Sequence, residues 1–272
     1  HKGPKRVGFE ASHVTVAQHQ WLLKQAPDRV WVPLGGVVES LRLLKDPSEQ
    51  AALAAAGRVA DRVFHHILPF IKPGAVERDL ASEMEHFMRR QGAEGPSFET
   101  IVASGWRSAL PHGIASSKRL AKGDMVVFDF GCRLDGYCSD MSRTVCVGQP
   151  SALQRKIYRI VQQAQAAGLK AIRPGQPSGA VDLAARSLIR RAGYGDHFGH
   201  GTGHGVGREV HEDPRVGPKA PEILKPGMAI TCEPGIYLDG RFGVRIEDLA
   251  LVTETGHRNL YRSSKELLVL AR

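Results

Sequence analysis

Apolar residues recur at helical spacing in two places along the chain, and each time the pattern then gives way to strand-like runs. The first helical stretch is "DPSEQAALAAAGRVADRVFHHILPFI". Asp46 is a good N-cap, Pro47 suits the first helical position, and Glu49 completes a capping box. Leu53, Ala56, Val63 and Ile67 fall on one face, and Pro73-Gly74 ends the unit. In "VERDLASEMEHFMRRQG", Leu80, Met84, Phe87 and Met88 share a face that stops at Gly92, with the methionines as core filler. Three β-rich runs follow: "SFETIVASG", "MVVFDFG" and "GYCSDMSRTVCVG". The order then repeats in kind, with helices over "SALQRKIYRIVQQAQAAGLKAI" and "SGAVDLAARSLIRRAG", then strands over "MAITCEPGIYL" and "FGVRIEDLALVTE". The pattern predicts an α+β fold of two similar halves sharing one sheet. Ahead of it, "RVWVPLGGVVESLRLLK" reads as strand-like runs broken by Pro33 and Gly35-Gly36. Residues 1–44 are therefore expected to be the last part of a separate domain, and 45–272 the main one.

Composition narrows the classes. At 272 residues and 42% hydrophobic, the chain can bury a large core. No apolar run is long enough for a membrane span. The basic, polar opening "HKGPKRVGFEASHV" is no signal peptide, and the absence of an initiating Met suggests a fragment or processed form. Cys132, Cys138, Cys146 and Cys232 lack metal-knuckle spacing and read as free, buried, intracellular thiols. The net charge of +9 is scattered rather than blocked, which predicts a solvated basic surface and neither a nucleic-acid nor a membrane partner.

The chemistry lies in acids placed where strands should be buried. Asp129 is flanked by apolar residues in "VVFDFG", and Asp140, Glu233 and Glu247 occupy similar contexts in "CSDMSRT", "TCEPG" and "VRIEDLA". Any one alone reads as a salt-bridged or edge-exposed acid. Buried together they need counter-charge. Beside them, "HFGHGTGHGVGREVHEDP" holds His197, His200, His204 and His211 in a glycine-studded run that is a poor helix. Carboxylates with one imidazole suit manganese, cobalt, iron or zinc, and four carboxylates with one histidine are enough for two ions.

These residues resemble the pita-bread metallopeptidases, peptidase family M24, over roughly residues 45–272. The resemblance implies the pita-bread (creatinase/aminopeptidase) fold, with two α+β halves around a curved antiparallel sheet. It also implies five metal ligands in the order Asp129, Asp140, His204, Glu233 and Glu247, holding two divalent ions (Mn, Co or Zn). By the same resemblance Glu233 also shuttles a proton to the leaving nitrogen. His211 and His112, the latter in "RSALPHGIAS", meet the scissile carbonyl and its oxyanion, and His200 lines the substrate pocket. His197 has no counterpart and reads as a loop imidazole.

Arg245-x-Glu247-Asp248 is similar to the prolidase and aminopeptidase P branch, whereas methionine aminopeptidases usually lack that run. Residues 1–44 resemble the end of the creatinase-like N-terminal domain of that branch. The activity implied is hydrolysis of the bond between an N-terminal residue and proline, by a cytoplasmic homodimer. A dipeptidase is favoured over an aminopeptidase P acting on longer Xaa-Pro-Xaa peptides. Methionine aminopeptidase and a metal-free pita-bread binding module are the further alternatives. A dipeptidase needs a cation for the proline carboxylate, and Arg245 is the expected one, ahead of Arg208 and Arg215.

Overall fold

The computed structural model describes residues 3–271 and divides into two compact units, 1–42 and 43–272. The first contains β1 (Arg6–Glu10), α1 (Val16–Gln25), β2 (Val30–Leu34) and α2 (Val37–Arg42), with β1 and β2 paired in parallel. Pro33 is tolerated within β2 because a two-stranded sheet has only edges. Residues 37–42 correct the expectation of broken strands: "VVESLR" is a short helix. β-branched residues alone do not decide so short a run.

The second unit opens with α3 (Pro47–Ile67) and α4 (Glu77–Arg90). The Asp46 capping box forms as expected: its carboxylate accepts from Ser48 N and Glu49 N while Glu49 accepts from Asp46 N. Then come β3 (Gly95–Pro96), β4 (Ile101–Ser104), β5 (Met125–Phe130), β6 (Cys132–Leu134), β7 (Tyr137–Cys138) and β8 (Met141–Val147). The second half repeats the plan with α5 (Ala152–Ala171) and α6 (Gly179–Arg191), followed by β9 (Gly203–Gly205), β10 (Glu212–Val216), β11 (Ala229–Cys232), β12 (Gly235–Leu238), β13 (Phe242–Arg245), β14 (Asp248–Val252), β15 (His257–Asn259) and β16 (Val269–Leu270).

The expected arrangement of two similar α+β halves is present, and backbone hydrogen bonds divide its sheet. One half carries the order β16-β8-β5-β4, the other β10-β9-β11-β14-β15, with β12-β13 and β3-β6-β7 as smaller pieces. All pairs in this unit are antiparallel except β16 with β8. The halves meet at their centre, where Glu247 N donates to Ser142 O at 3.1 Å and Arg245 N to Thr144 Oγ1 at 3.1 Å.

Each helix pair covers its own core. Leu53, Phe64, Ile67, Met84 and Met88 from α3 and α4 pack on Phe128, Phe130 and Met141. Ile157, Val161, Ala185 and Ile189 from α5 and α6 pack on Ile236 and Val244. Gly168 lets α5 approach β11, since a Cβ there would lie 2.5 Å from Cys232 Sγ. The last residues close the unit on its first helix: Asp61 of α3 accepts from Arg262 N (2.9 Å) and from Ser263 N (2.8 Å) and Oγ (2.5 Å). Next to them, Tyr261 OH accepts from Asp140 N at 2.8 Å and donates to Asp140 O.

Candidate active site

Expected long strands break at the acids. "GYCSDMSRTVCVG" splits into β7 and β8 around Ser139-Asp140, "MAITCEPGIYL" into β11 and β12 around Glu233-Pro234, and "FGVRIEDLALVTE" into β13 and β14 around Ile246-Glu247. Asp129 alone among the four acids lies inside a strand, opposite Ser142. Leaving the ladder lets a side chain point away from the two sheet faces, so three acids from three strand junctions can converge. His204 comes from β9, where neighbouring glycines admit the partner backbone; a Cβ on Gly203 would lie 2.2 Å from Thr231 O.

All nine residues expected at the site line one cavity of about 450 Å³. Asp140, His204 and Glu247 offer ligand atoms that all lie within 4.8 Å of one another. His204 Nε2 is 3.5 Å from Asp140 Oδ2 and 3.4 Å from Glu233 Oε1. Its Nδ1–H donates to Gly205 O at 3.0 Å, which aims the other nitrogen at the acids.

Electrostatics at this point demand cations. Burial, together with the neighbouring carboxylates, pushes Asp140 and Glu247 well above the usual carboxylate range. Burial also raises Asp129, although Arg245 pulls it back. Glu233 goes the other way: burial raises it, but the hydrogen bond and charge of His204 outweigh this and bring it to about 2. The same contact holds His204 above its ordinary value against burial. Asp129 Oδ1 and Glu247 Oε1 are buried with no hydrogen-bond partner. Unpaired buried carboxylate oxygens are costly unless they bind a metal, and an oxygen-rich set with one imidazole fits hard or borderline divalent ions.

Arg245 is 3% exposed and largely committed to protein. Its Nη2 donates to Asp129 Oδ2 (2.6 Å), its Nε to Ser142 Oγ (2.8 Å), and its Nη1 to Tyr237 OH (2.9 Å) and Pro111 O (3.0 Å). Four of five N–H groups are thus spent, unlike the free fork expected for a substrate carboxylate. Arg208 and Arg215 are exposed and do not line the cavity. Ser142 passes the restraint on, donating to Glu247 Oε2 at 2.7 Å.

His200 has both ring nitrogens engaged. Gly201 O (2.7 Å) can only accept, so Nδ1 carries the proton and Nε2 accepts from Tyr237 OH at 2.8 Å. Burial pushes His200 down, in keeping with this neutral form. His211 is exposed at the rim, its ring 4.4 Å from that of His204, and His112 is exposed on the loop after β4. His197 lies in a short 3₁₀ turn away from the cavity lining.

Sequence reasoning missed Phe98, Ile101 and Ile114, which line the cavity as apolar wall, and Tyr237, which joins Arg245 to His200. A cavity wall and a core residue look alike in a hydrophobic pattern. For Tyr237 the available signal was a hydroxyl on a buried strand, which needs a partner.

The geometry agrees with comparisons to known proteins. A Creatinase/Prolidase N-terminal domain model matches residues 1–44. The Xaa-Pro dipeptidase of Pyrococcus furiosus is 46% identical over 232 residues, 85% of this chain and 67% of that one. An Xaa-Pro dipeptidase structure from Bacillus anthracis superposes with a TM-score of 0.96 at 47% identity, covering 98% of this chain and 75% of that one. The X-Pro aminopeptidase of Thermotoga maritima reaches 0.94 at 38% identity, over 98% of this chain and 76% of the other. A family model spanning residues 51–254 encloses every one of the converging acids, and by that match the chain belongs to metallopeptidase family M24.

Proposed function

We propose that this protein is a metal-dependent Xaa-Pro dipeptidase, hydrolysing the bond between an N-terminal residue and proline. The observation that carries this reading is the convergence of four carboxylates and His204 in one cavity, two of their oxygens lacking any protein partner. Dipeptidase relatives at 46–47% identity over most of the chain support the substrate class.

In this reading Asp129, Asp140, His204, Glu233 and Glu247 hold two divalent ions, of manganese, cobalt or zinc. Bound there, the ions supply an activated water and polarise the scissile carbonyl. The chain's own groups do the rest. Glu233, ionised and close to His204 and Thr231, accepts the water's proton and passes it to the leaving nitrogen. His211 and His112 present ring N–H groups from the rim to the developing oxyanion. His200 shapes the pocket as a neutral ring. Arg245 keeps Asp129 and, through Ser142, Glu247 in place.

A second reading, aminopeptidase P, is favoured by one observation: the only lysine or arginine among the described cavity-lining residues is Arg245, already largely spent. The experiment is turnover of Ala-Pro against Ala-Pro-Ala, after chelation and with each metal added back. A dipeptidase prefers Ala-Pro; a tripeptide preference reverses the assignment. Chelation abolishes turnover and one of the named metals restores it. No bindable divalent metal would leave only the binding-module reading. Glu233→Ala loses turnover by several orders of magnitude, and wild-type rates would refute its role.

We also propose that residues 1–44 belong to an N-terminal domain separate from 45–272, that the protein is cytoplasmic, and that it is a homodimer. The matching N-terminal model supports the first and four free buried thiols the second. Light scattering of the purified protein tests the third.

A further inference from the structure

Glu77 opens α4, where an acid is ordinary for the helix dipole. Its side chain does something else. It is fully buried, lies outside the cavity lining, and accepts five hydrogen bonds from a different segment. Oε1 takes Ser104 N (2.8 Å) and Ser104 Oγ (2.7 Å). Oε2 takes Arg107 Nε (3.0 Å), Ser116 N (3.1 Å) and Ser116 Oγ (2.6 Å). These donors stand at the two stems of one loop, and His112 is near its tip.

The loop is tied at other points too. Arg107 Nη2 donates to Ile114 O, and Ile114 N to His112 O at 2.9 Å. At the tip, Pro111 O accepts from Arg245 Nη1 at 3.0 Å. His112 is thus exposed, yet carried on backbone fixed on both sides. A buried carboxylate with its donors matched makes a stiff anchor, because losing it leaves the buried Ser104 amide and hydroxyl and the partly buried Arg107 and Ser116 donors without their acceptor.

We propose that Glu77 is a positioning residue for His112: it clamps both stems of the loop over residues 104–116 and so sets where the His112 ring meets the substrate. This rests on the reading that His112 contacts the substrate. A misplacement of about 1 Å costs on the order of 10²-fold in rate, so a loosened loop acts on turnover more than on binding.

The test uses wild type, Glu77→Gln, His112→Ala and the double variant, each with saturating metal. Glu77→Gln lowers kcat by roughly 10- to 100-fold, leaves bound metal unchanged, and speeds amide exchange over residues 104–118. In the His112→Ala background it adds no further loss in kcat, although the melting temperature still falls. Equal kcat losses in both backgrounds, or unchanged exchange in the loop, would overturn the proposal. Wild-type turnover in His112→Ala overturns it as well, by removing the role His112 is given. If the wild type hydrolyses no Xaa-Pro peptide, the proposed function fails while the exchange data still report on the clamp. Should Glu77→Gln not fold, Ser116→Ala releases one stem only and is expected to show the same pattern at smaller size.

Discussion

Arg245 shows how much one side chain holds together. Its guanidinium ties Asp129, Ser142, Tyr237 and Pro111, which belong to four separate segments. Arg245→Met removes the ion-pair partner of the largely buried Asp129, and breaking a buried pair costs about 3–5 kcal/mol. Chemical denaturation of metal-stripped protein is expected to show that loss, and saturating metal to reduce it by supplying counter-charge. An equal loss with and without metal would contradict the coupling. At this scale the four acids that converge in the cavity were legible in the sequence, because acids flanked by apolar residues are anomalous enough to announce themselves. The commitment of Arg245 was not, since its partners lie up to 134 residues away.

Among the elements, α5 depends on a residue that weakens it. Glycine inside a helix is about 1 kcal/mol worse than alanine, yet Gly168 is buried in the last turn of α5 against Cys232. Gly168→Ala is therefore expected to destabilise by about 1–3 kcal/mol despite its better propensity. Adding Cys232→Ala should recover much of that, and additive losses in the double variant would rule out the contact as the cause. The four main helices were readable from spacing and caps. The strand breaks at Asp140, Glu233 and Glu247 were not, because alternation continues through a residue that leaves the ladder. "VVESLR" misled in the opposite sense, its two valines reading as strand where a short helix forms.

Across the whole molecule, all four thiols are buried and free. Burial pushes Cys132 and Cys146 up to about 11, and it raises Cys138 and Cys232 as well. An unfolded thiol ionises near ~8.5, so above that pH the unfolded chain has lost protons the folded one keeps. The contribution to stability is full below about 8.5 and declines as pH rises towards the folded value. Iodoacetamide at pH 8 is expected to label the native protein negligibly and all four thiols after denaturation; rapid native labelling would show that they open. The two-half plan was legible at this scale, while the split of its sheet was not, because hydrogen-bond partners are not written in hydropathy. One closing contact also sets a timetable. The backbone of Asp140 is held by Tyr261, which lies 121 residues further on. At about 5–20 residues per second, a ribosome makes the one roughly 6–24 s before the other. During synthesis this brace on Asp140 forms only after residue 261 has been made, so the acid cluster lacks it throughout that interval.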